Sequence, residues 1–130
     1  MRVYLAGPMR SIPRHNVEAF RAAAKRLRAS GFEVFNPIEA SEERYGPDIY
    51  EEGDEGRAKI NERIVFGVDL AWICAHADAI ALLPGWEQSK GARAERAVGM
   101  ALGLKILLLD GEPHERGHEG RLPRDPEADA

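Results

Sequence analysis

The spacing of apolar residues alternates along the chain between two patterns, one typical of strands and one typical of helices. Short apolar runs that end at glycine, proline or aspartate are typical of buried strands. They cover residues 2–7 ("RVYLAG"), 32–37 ("FEVFNP"), 79–84 ("AIALLP") and 104–110 ("LKILLLD"). Stretches with the helical period of apolar positions lie between these runs. They cover residues 16–30, 58–75 and 90–102, and Asn16 is expected to cap the first of them.

The alternation of strands and helices predicts an α/β fold with a parallel sheet, because parallel neighbours need a long crossover connection. Right-handed crossovers and a change of winding direction after strand 2 give the strand order 2-1-3-4, as in flavodoxin-like and Rossmann-like three-layer sandwiches. Ligands of such sheets bind beyond the carboxyl ends of the strands where the winding reverses. The segments that follow strands 1 and 3, "GPMR" and "GWEQSKG", are therefore expected to border one crevice.

Residues 39–57 differ in kind from the rest of the predicted domain, which spans residues 1–110. The segment holds eight acidic residues, three glycines and two tyrosines. We predict an acidic loop here, either a functional lid or disordered. Residues 111–130 contain one large aliphatic side chain among many charges and prolines, which predicts a disordered tail. His114 and His118 of this tail are separated by a glycine, and we do not assign them to a metal site.

Composition excludes several classes of protein. A chain of 130 residues with 44% apolar residues has room for one core. Its net charge of −4 disfavours a nucleic acid polymer as partner. No apolar run approaches the ~20 residues of a membrane helix, and the first residues lack the features of a signal peptide. The single cysteine, Cys74, excludes an intrachain disulfide and fits a cytoplasmic location, and we expect neither metal nor cofactor.

Glu95 has an unusual environment for a helical carboxylate. Its neighbours one turn away in both directions are Gly91, Ala92, Val98 and Gly99. No basic residue is therefore placed to pair with it along the helix. Two glycines weaken a helix by roughly 1 kcal/mol each, which is reasonable where another molecule must approach the backbone. An ordinary surface glutamate on a weak helix is the alternative.

Asp69 is surrounded by apolar positions on its predicted helix. The residues three and four positions away are Val65, Phe66, Trp72 and Ile73. Burial on such a stripe raises the pKa of a carboxyl group, which makes Asp69 a candidate for proton transfer near neutral pH. Together, Glu95 and Asp69 resemble the carboxylate pair of a glycosidase. The alternative for Asp69 is a structural acceptor of hydrogen bonds from a neighbouring loop.

Ser89 lies at the predicted start of the helix that carries Glu95. Free N–H groups at a helix N-terminus attract anions, and Lys90 and Gly91 follow directly. Arg10, after strand 1, is expected to reach the same crevice. A simple helix cap, worth about 1 kcal/mol, is the alternative role for Ser89.

The segments "YLAGPM" and "VDLAWICAHADAIALLPGWEQSKGARAERAVGMALG" resemble the nucleoside 2-deoxyribosyltransferase-like superfamily. That group includes the deoxyribosyltransferases and the 2′-deoxynucleoside 5′-monophosphate N-hydrolases. The likeness covers most of residues 3–107, and its most specific part is the Ser/Asp-x-Gly-x-x-x-Glu motif, here "SKGARAE". The resemblance implies that Glu95 attacks C1′ of the sugar, that Tyr4 holds the Glu95 carboxylate, and that Asp69 assists departure of the base.

The same resemblance implies a substrate site and a ligand class. Nucleotide hydrolases of the superfamily have serine at the position of Ser89, where it receives the 5′-phosphate, whereas the transferases usually have aspartate. The residues expected to bind substrate are Gly7, Pro8, Met9, Arg10, Asn36, Gly85, Trp86, Ser89, Lys90 and Gly91. Stacking on the base is open to Tyr45, Tyr50, Trp72 and Trp86, each of which is alternatively a core or interface residue.

The predicted function is therefore hydrolysis of the N-glycosidic bond of a (deoxy)nucleoside 5′-monophosphate through a covalent glycosyl-glutamate. Transfer of the sugar to a second base shares that intermediate and stays open. A non-catalytic nucleotide sensor on the same fold is a second hypothesis, and an assembly protein that uses its tryptophans as an interface is a third. The superfamily usually forms dimers or larger assemblies, so we expect a homo-oligomer.

Overall fold

The computed structural model describes residues 1–10 and 12–109 and confirms the predicted α/β fold. The strands are β1 (Arg2–Ala6), β2 (Glu33–Phe35), β3 (Ala79–Leu82) and β4 (Lys105–Leu108). The helices are α1 (Val17–Ala29), α2 (Pro37–Tyr45), α3 (Gly53–Lys59), α4 (Glu62–His76) and α5 (Lys90–Ala101). The predicted tail at 111–130, with His114 and His118, lies outside the described residues.

The four strands form one parallel sheet in the predicted order β2-β1-β3-β4. Strand β1 is central: Tyr4 is in register with Phe35 of β2 on one side and with Ile80 of β3 on the other. The carboxyl ends of β1 and β3 therefore lie side by side, and the segments that follow them meet at one edge of the sheet.

Each face of the sheet has its own hydrophobic core, because side chains alternate along a strand. Val3 and Leu5 of β1 pack with Phe20 and Leu27 of α1 on one face. Tyr4 of the same strand points to the other face, into a cluster with residues of α4 and α5. The second face carries the polar residues described below.

The prediction of a loop at 39–57 was wrong. This segment folds as most of α2 and α3, with a short connection between them. Asn36 caps α2 by accepting a hydrogen bond from the backbone N–H of Ile38 at 3.0 Å, and a proline occupies the first turn. Two of the three acidic side chains of α2 are paired with arginines of α1: Glu39 lies 2.7 Å from Arg28, and Glu42 lies 2.6 Å from Arg21.

Two predicted helix starts also need correction. The helix expected from residue 58 begins at Glu62, because Asn61 caps it by accepting from two backbone N–H groups. Asn16 precedes α1 but does not cap it with its side chain, which instead donates to the carbonyl of Pro8 at 3.0 Å. Within the described ranges, no helix has the length and apolar character needed to cross a membrane.

Gly99 sets the distance between α5 and the sheet. A Cβ atom at this position would lie 2.6 Å from Cγ1 of Ile80, far inside normal contact distance. The helix therefore approaches β3 more closely than any larger residue allows. This is one reason for a glycine in the helix that carries Glu95, and it concerns packing rather than ligand access.

We expect Gly99→Ala to lower the free energy of unfolding by about 1–2 kcal/mol, because the overpacking against Ile80 exceeds the gain in helix propensity. Gly67→Ala is the matched control: Gly67 also lies in a helix, but no atom is within 4 Å of its added Cβ. That variant should be more stable than wild type by roughly 0.5–1 kcal/mol. Denaturant unfolding measures both, and a Gly99→Ala protein as stable as wild type would contradict the packing argument.

Candidate active site

Tyr4 and Glu95 meet across the boundary between the sheet and helix α5. The Tyr4 hydroxyl donates a hydrogen bond of 2.6 Å to Oε2 of Glu95, and both side chains are buried. The ring of Tyr4 stacks on Phe35 of β2, with centroids 5.5 Å apart, and Trp72 of α4 lies against Phe35. This aromatic cluster fixes the ring, so the hydroxyl holds the carboxylate in one position.

Asp69 joins this pair from helix α4. It is only 5% exposed, and Glu95 is only 6% exposed. Desolvation raises the pKa of Asp69 to about 7, and the polar Tyr4 hydroxyl opposes that rise. The three residues come from β1, α4 and α5, so the fold brings together all three predicted catalytic side chains.

Burial also raises the pKa of Glu95, to about 8. Desolvation is the main cause; the hydrogen bond from Tyr4 opposes it, and the nearby charge of Asp69 adds to it. The pKa of Tyr4 is raised well above its usual value by burial and by the two carboxylates. At neutral pH, Asp69 and Glu95 therefore retain protons that exposed carboxylates would lose.

A cavity of about 710 Å³ opens beside these three residues. That volume lies within the range of small-molecule sites, ~300–1,000 Å³. Of the predicted substrate-binding residues, the following line it: Gly7, Pro8, Met9, Arg10, Ser89, Lys90 and Gly91. The two segments expected to border one crevice thus do so, and the catalytic candidates face the same space.

The cavity lining does not include Asn36, Gly85 or Trp86. Asn36 is buried as the cap of α2, and the ring of Trp86 lies under the guanidinium of Arg96 at 5.1 Å. Gly85 adopts a positive φ of 88° next to Pro8, in the turn that precedes α5. Their contact with a substrate stays a prediction without geometric support.

Close backbone packing aligns the segments after β1 and β3. A Cβ atom on Gly7 would lie 2.7 Å from Cβ of Leu83, so only glycine allows this approach. Ser89 then caps α5 by accepting from the N–H of Ala92 at 3.1 Å. Its hydroxyl proton stays available to a ligand, and Gly91 leaves open space beside it.

Arg10 reaches the cavity, but its guanidinium pairs with Glu62 at the start of α4. Both side chains are exposed, so the pair is a weak surface contact that an anionic ligand can displace. Of the four aromatic residues considered for stacking, Tyr50 alone lines this cavity. Trp72 lies in the aromatic cluster, and the Tyr45 hydroxyl accepts a hydrogen bond from the N–H of Asn61.

His15 and Arg57 are among the residues of the cavity wall that sequence reasoning missed. His15 lies in the segment that follows the carboxyl end of β1. The predicted topology places that segment at the crevice, so His15 could have been identified from it. Arg57 lies in α3, which was expected to be loop, so no signal pointed to it. In the ranges that the structure describes, no cluster of three or more His, Cys, Asp or Glu residues is arranged to hold a metal ion.

Residues 1–108 match a family model described as "Domain of unknown function (DUF4406)". The chain belongs to this family. The match contains all four strands and every residue of the candidate site, so the DUF4406 domain and the described α/β unit coincide. A comparison with curated proteins found no match.

The raised pKa of Glu95 predicts a stability effect that depends on pH. The folded protein binds the proton more tightly than the unfolded chain, whose glutamate has a pKa near 4.5. Stability from this group is therefore complete below pH 4.5 and is lost as the pH rises to about 8. Glu95→Gln, which is uncharged at every pH, should exceed wild type in unfolding free energy by a few kcal/mol at about pH 8 and match it near pH 4.

Thermal unfolding at several pH values measures this difference. Asp69→Asn serves as the comparison. Its unfolding free energy should also exceed that of wild type, by an amount that grows as the pH rises from 3.8 to about 7. A Glu95→Gln protein that is less stable than wild type at pH 8 would show that the ionised carboxylate is favoured by the fold.

Proposed function

We propose that the protein cleaves the N-glycosidic bond of a (deoxy)nucleoside 5′-monophosphate. The observation that carries this proposal is the buried group of Tyr4, Asp69 and Glu95 on the wall of a cavity that also holds the N-terminus of α5. Two carboxyl groups on one cavity suit glycoside chemistry, in which one attacks the sugar and the other transfers a proton.

In this mechanism the Glu95 carboxylate is the nucleophile. It forms a bond to C1′ on the face opposite the base while the C1′–N bond breaks, and the electron pair leaves with the base. In the free protein the shared proton lies on Glu95, whose pKa of about 8 exceeds the value of about 7 for Asp69, so the reactive form arises when this proton moves to Asp69. The hydrogen bond from Tyr4 supports the nucleophilic role, because it favours the ionised form of Glu95 and orients the attacking oxygen. Positive charge that develops at C1′ further stabilises the carboxylate.

Asp69 supplies the proton to the departing base. Its pKa of about 7 supports this role, since a general acid is most effective when its pKa lies near the working pH. A water molecule then attacks C1′, gives a proton to Asp69 and releases Glu95. Two displacements at C1′ give net retention of configuration.

The proposed phosphate subsite is the N-terminus of α5. Ser89 has a hydroxyl proton to donate, and Lys90 and the dipole of the 12-residue helix favour an anion there. An aspartate at the position of Ser89 would repel a phosphate. The resemblance of "SKGARAE" to the motif of the nucleotide N-hydrolases supports the same assignment.

Incubation with a panel of ribo- and deoxyribonucleoside 5′-monophosphates should release free base, detectable by chromatography. We expect Glu95→Gln to reduce the rate at least 10³-fold, because the covalent route is lost. A 2-fluorinated substrate analogue should leave a glycosyl adduct on the peptide that contains Glu95, identified by mass spectrometry.

Glu87→Gln is the matched control, because Glu87 is exposed and lies outside the cavity lining. Its rate should equal that of wild type. Saturable nucleotide binding without base release would favour the sensor hypothesis, and an adduct on another peptide would disprove the assignment of Glu95. Base exchange in the presence of a second base would indicate transfer in place of hydrolysis.

The pH dependence of kcat/KM should be bell-shaped. The reactive form holds one proton on the Asp69–Glu95 pair, so activity falls when the pair gains or loses a proton, with limbs near pH 7 and pH 8. The alkaline limb reports loss of the last proton from the pair. In Asp69→Asn the side chain at position 69 has no acidic proton to lose, so the alkaline limb should disappear from the remaining activity. A profile that is flat from pH 6 to pH 9 would contradict this account of the pair.

A further inference from the structure

His15 and Tyr50 form an aromatic corner in the cavity wall. Their ring centroids are 5.1 Å apart, with the planes inclined by 59°. Tyr50 is 6% exposed and is held in the core, whereas His15 is partly exposed at the cavity. Neither residue takes part in the mechanism proposed above.

The backbone that presents His15 is strained. Arg14, His15 and Asn16 have φ values of 53°, 55° and 61°, in the left-handed region that non-glycine residues rarely adopt. The bond from Asn16 to the carbonyl of Pro8 ties this turn to the segment that follows β1. Strain of this kind is concentrated at ligand sites, where the surrounding structure imposes it.

Arg57 completes the corner from helix α3. It lines the same cavity, and its charge acts on His15. In the part of the chain that the structure describes, no salt bridge joins Arg57 to an acidic residue. Desolvation, reinforced by Arg57, lowers the pKa of His15, so the imidazole is neutral at pH 7 and offers one donor and one acceptor.

The proposed mechanism implies that the base is bound at this corner. Tyr50 is close enough to Asp69 for the charge of that carboxylate to affect it. Asp69 is the acid in the proposed mechanism and must face the base, whereas Ser89 and Lys90 would take the phosphate. With the sugar at Glu95, the base is directed to Tyr50, His15 and Arg57.

Resting on the proposed function, we infer that His15, Tyr50 and Arg57 form the base-recognition subsite and select purine bases with a carbonyl oxygen at C6 over those with an amino group there. The aromatic rings provide apolar contact with the base. The guanidinium has donors only, and an arginine fork matches a carbonyl oxygen and a ring nitrogen on one edge of a base. An exocyclic amino group would face these donors without an acceptor.

Two matched substrate pairs test this inference: inosine against adenosine 5′-monophosphate, and guanosine against 2,6-diaminopurine ribonucleoside 5′-monophosphate, each of which differs only by an oxygen or an amino group at C6. Binding to Glu95→Gln is measured by calorimetry, and base release by wild type is measured in parallel. The oxo member of each pair should be preferred by about 10-fold or more. Arg57→Met on either background, which keeps the apolar stem and removes the donors, should abolish that preference.

Lys90→Met is the matched variant for the other end of the cavity. It should weaken discrimination between nucleotide and nucleoside while keeping the oxo preference. His15→Asn keeps a residue that tolerates positive φ and should weaken binding of all four nucleotides. Arg44→Met, outside the cavity lining, should change neither preference.

The outcomes separate this inference from the proposed function. Oxo-selective binding that Arg57→Met abolishes, without base release by wild type, would support the subsite and overturn the hydrolysis. Base release whose oxo-to-amino ratio is unchanged in Arg57→Met would support the hydrolysis and overturn the subsite. Loss of phosphate discrimination in Arg57→Met, in place of base discrimination, would also overturn it, because the ligand would then lie in the opposite orientation.

Discussion

The hydrogen bond from Tyr4 to Glu95 joins two elements that are 91 residues apart, and it is formed where water is largely excluded. A buried carboxyl group without a donor is costly, so the position of Glu95 depends on the tyrosine. Tyr4 depends in turn on Phe35, which stacks on its ring from β2. One interaction thus couples the central strand, an outer strand and helix α5, and the geometry of the candidate site follows from it.

Small residues make this arrangement possible. Gly99 lets α5 approach β3, and Gly7 lets the segment after β1 approach Leu83. Both contacts lie near the point where the winding of the sheet reverses. Close backbone packing therefore shapes the cavity on two sides. A Cβ atom at Gly91, in contrast, would meet only Oγ of Ser89, at 4.0 Å, so packing does not require a glycine there.

The sheet order, Asp69 and Glu95 could be predicted from sequence because their signals are local, whereas the role of Tyr4 was implied by the family resemblance. Glu95 and Asp69 were found from neighbours within one helical turn, and the strands from short apolar runs. Helix α2 was missed because part of its support is tertiary: two of its three acidic residues pair with arginines of α1. Helix α3 was missed with it, in the same acidic segment. Arg57 was missed with these helices. The left-handed turn at His15 was missed because it contains no glycine that would have indicated positive φ values.

The distribution of charge over the cavity bears on what kind of molecule fits it. Burial holds protons on the Asp69–Glu95 pair at neutral pH, so the centre of the cavity carries less negative charge than its composition implies. Cationic side chains line other parts of the wall, with Lys90 on α5 and Arg57 on α3. A ligand with an uncharged middle, an anionic end and an acceptor-rich end satisfies all three parts at once. A sugar that joins a phosphate to an oxo base has that pattern, whereas a simple dianion would leave the buried acids without a partner.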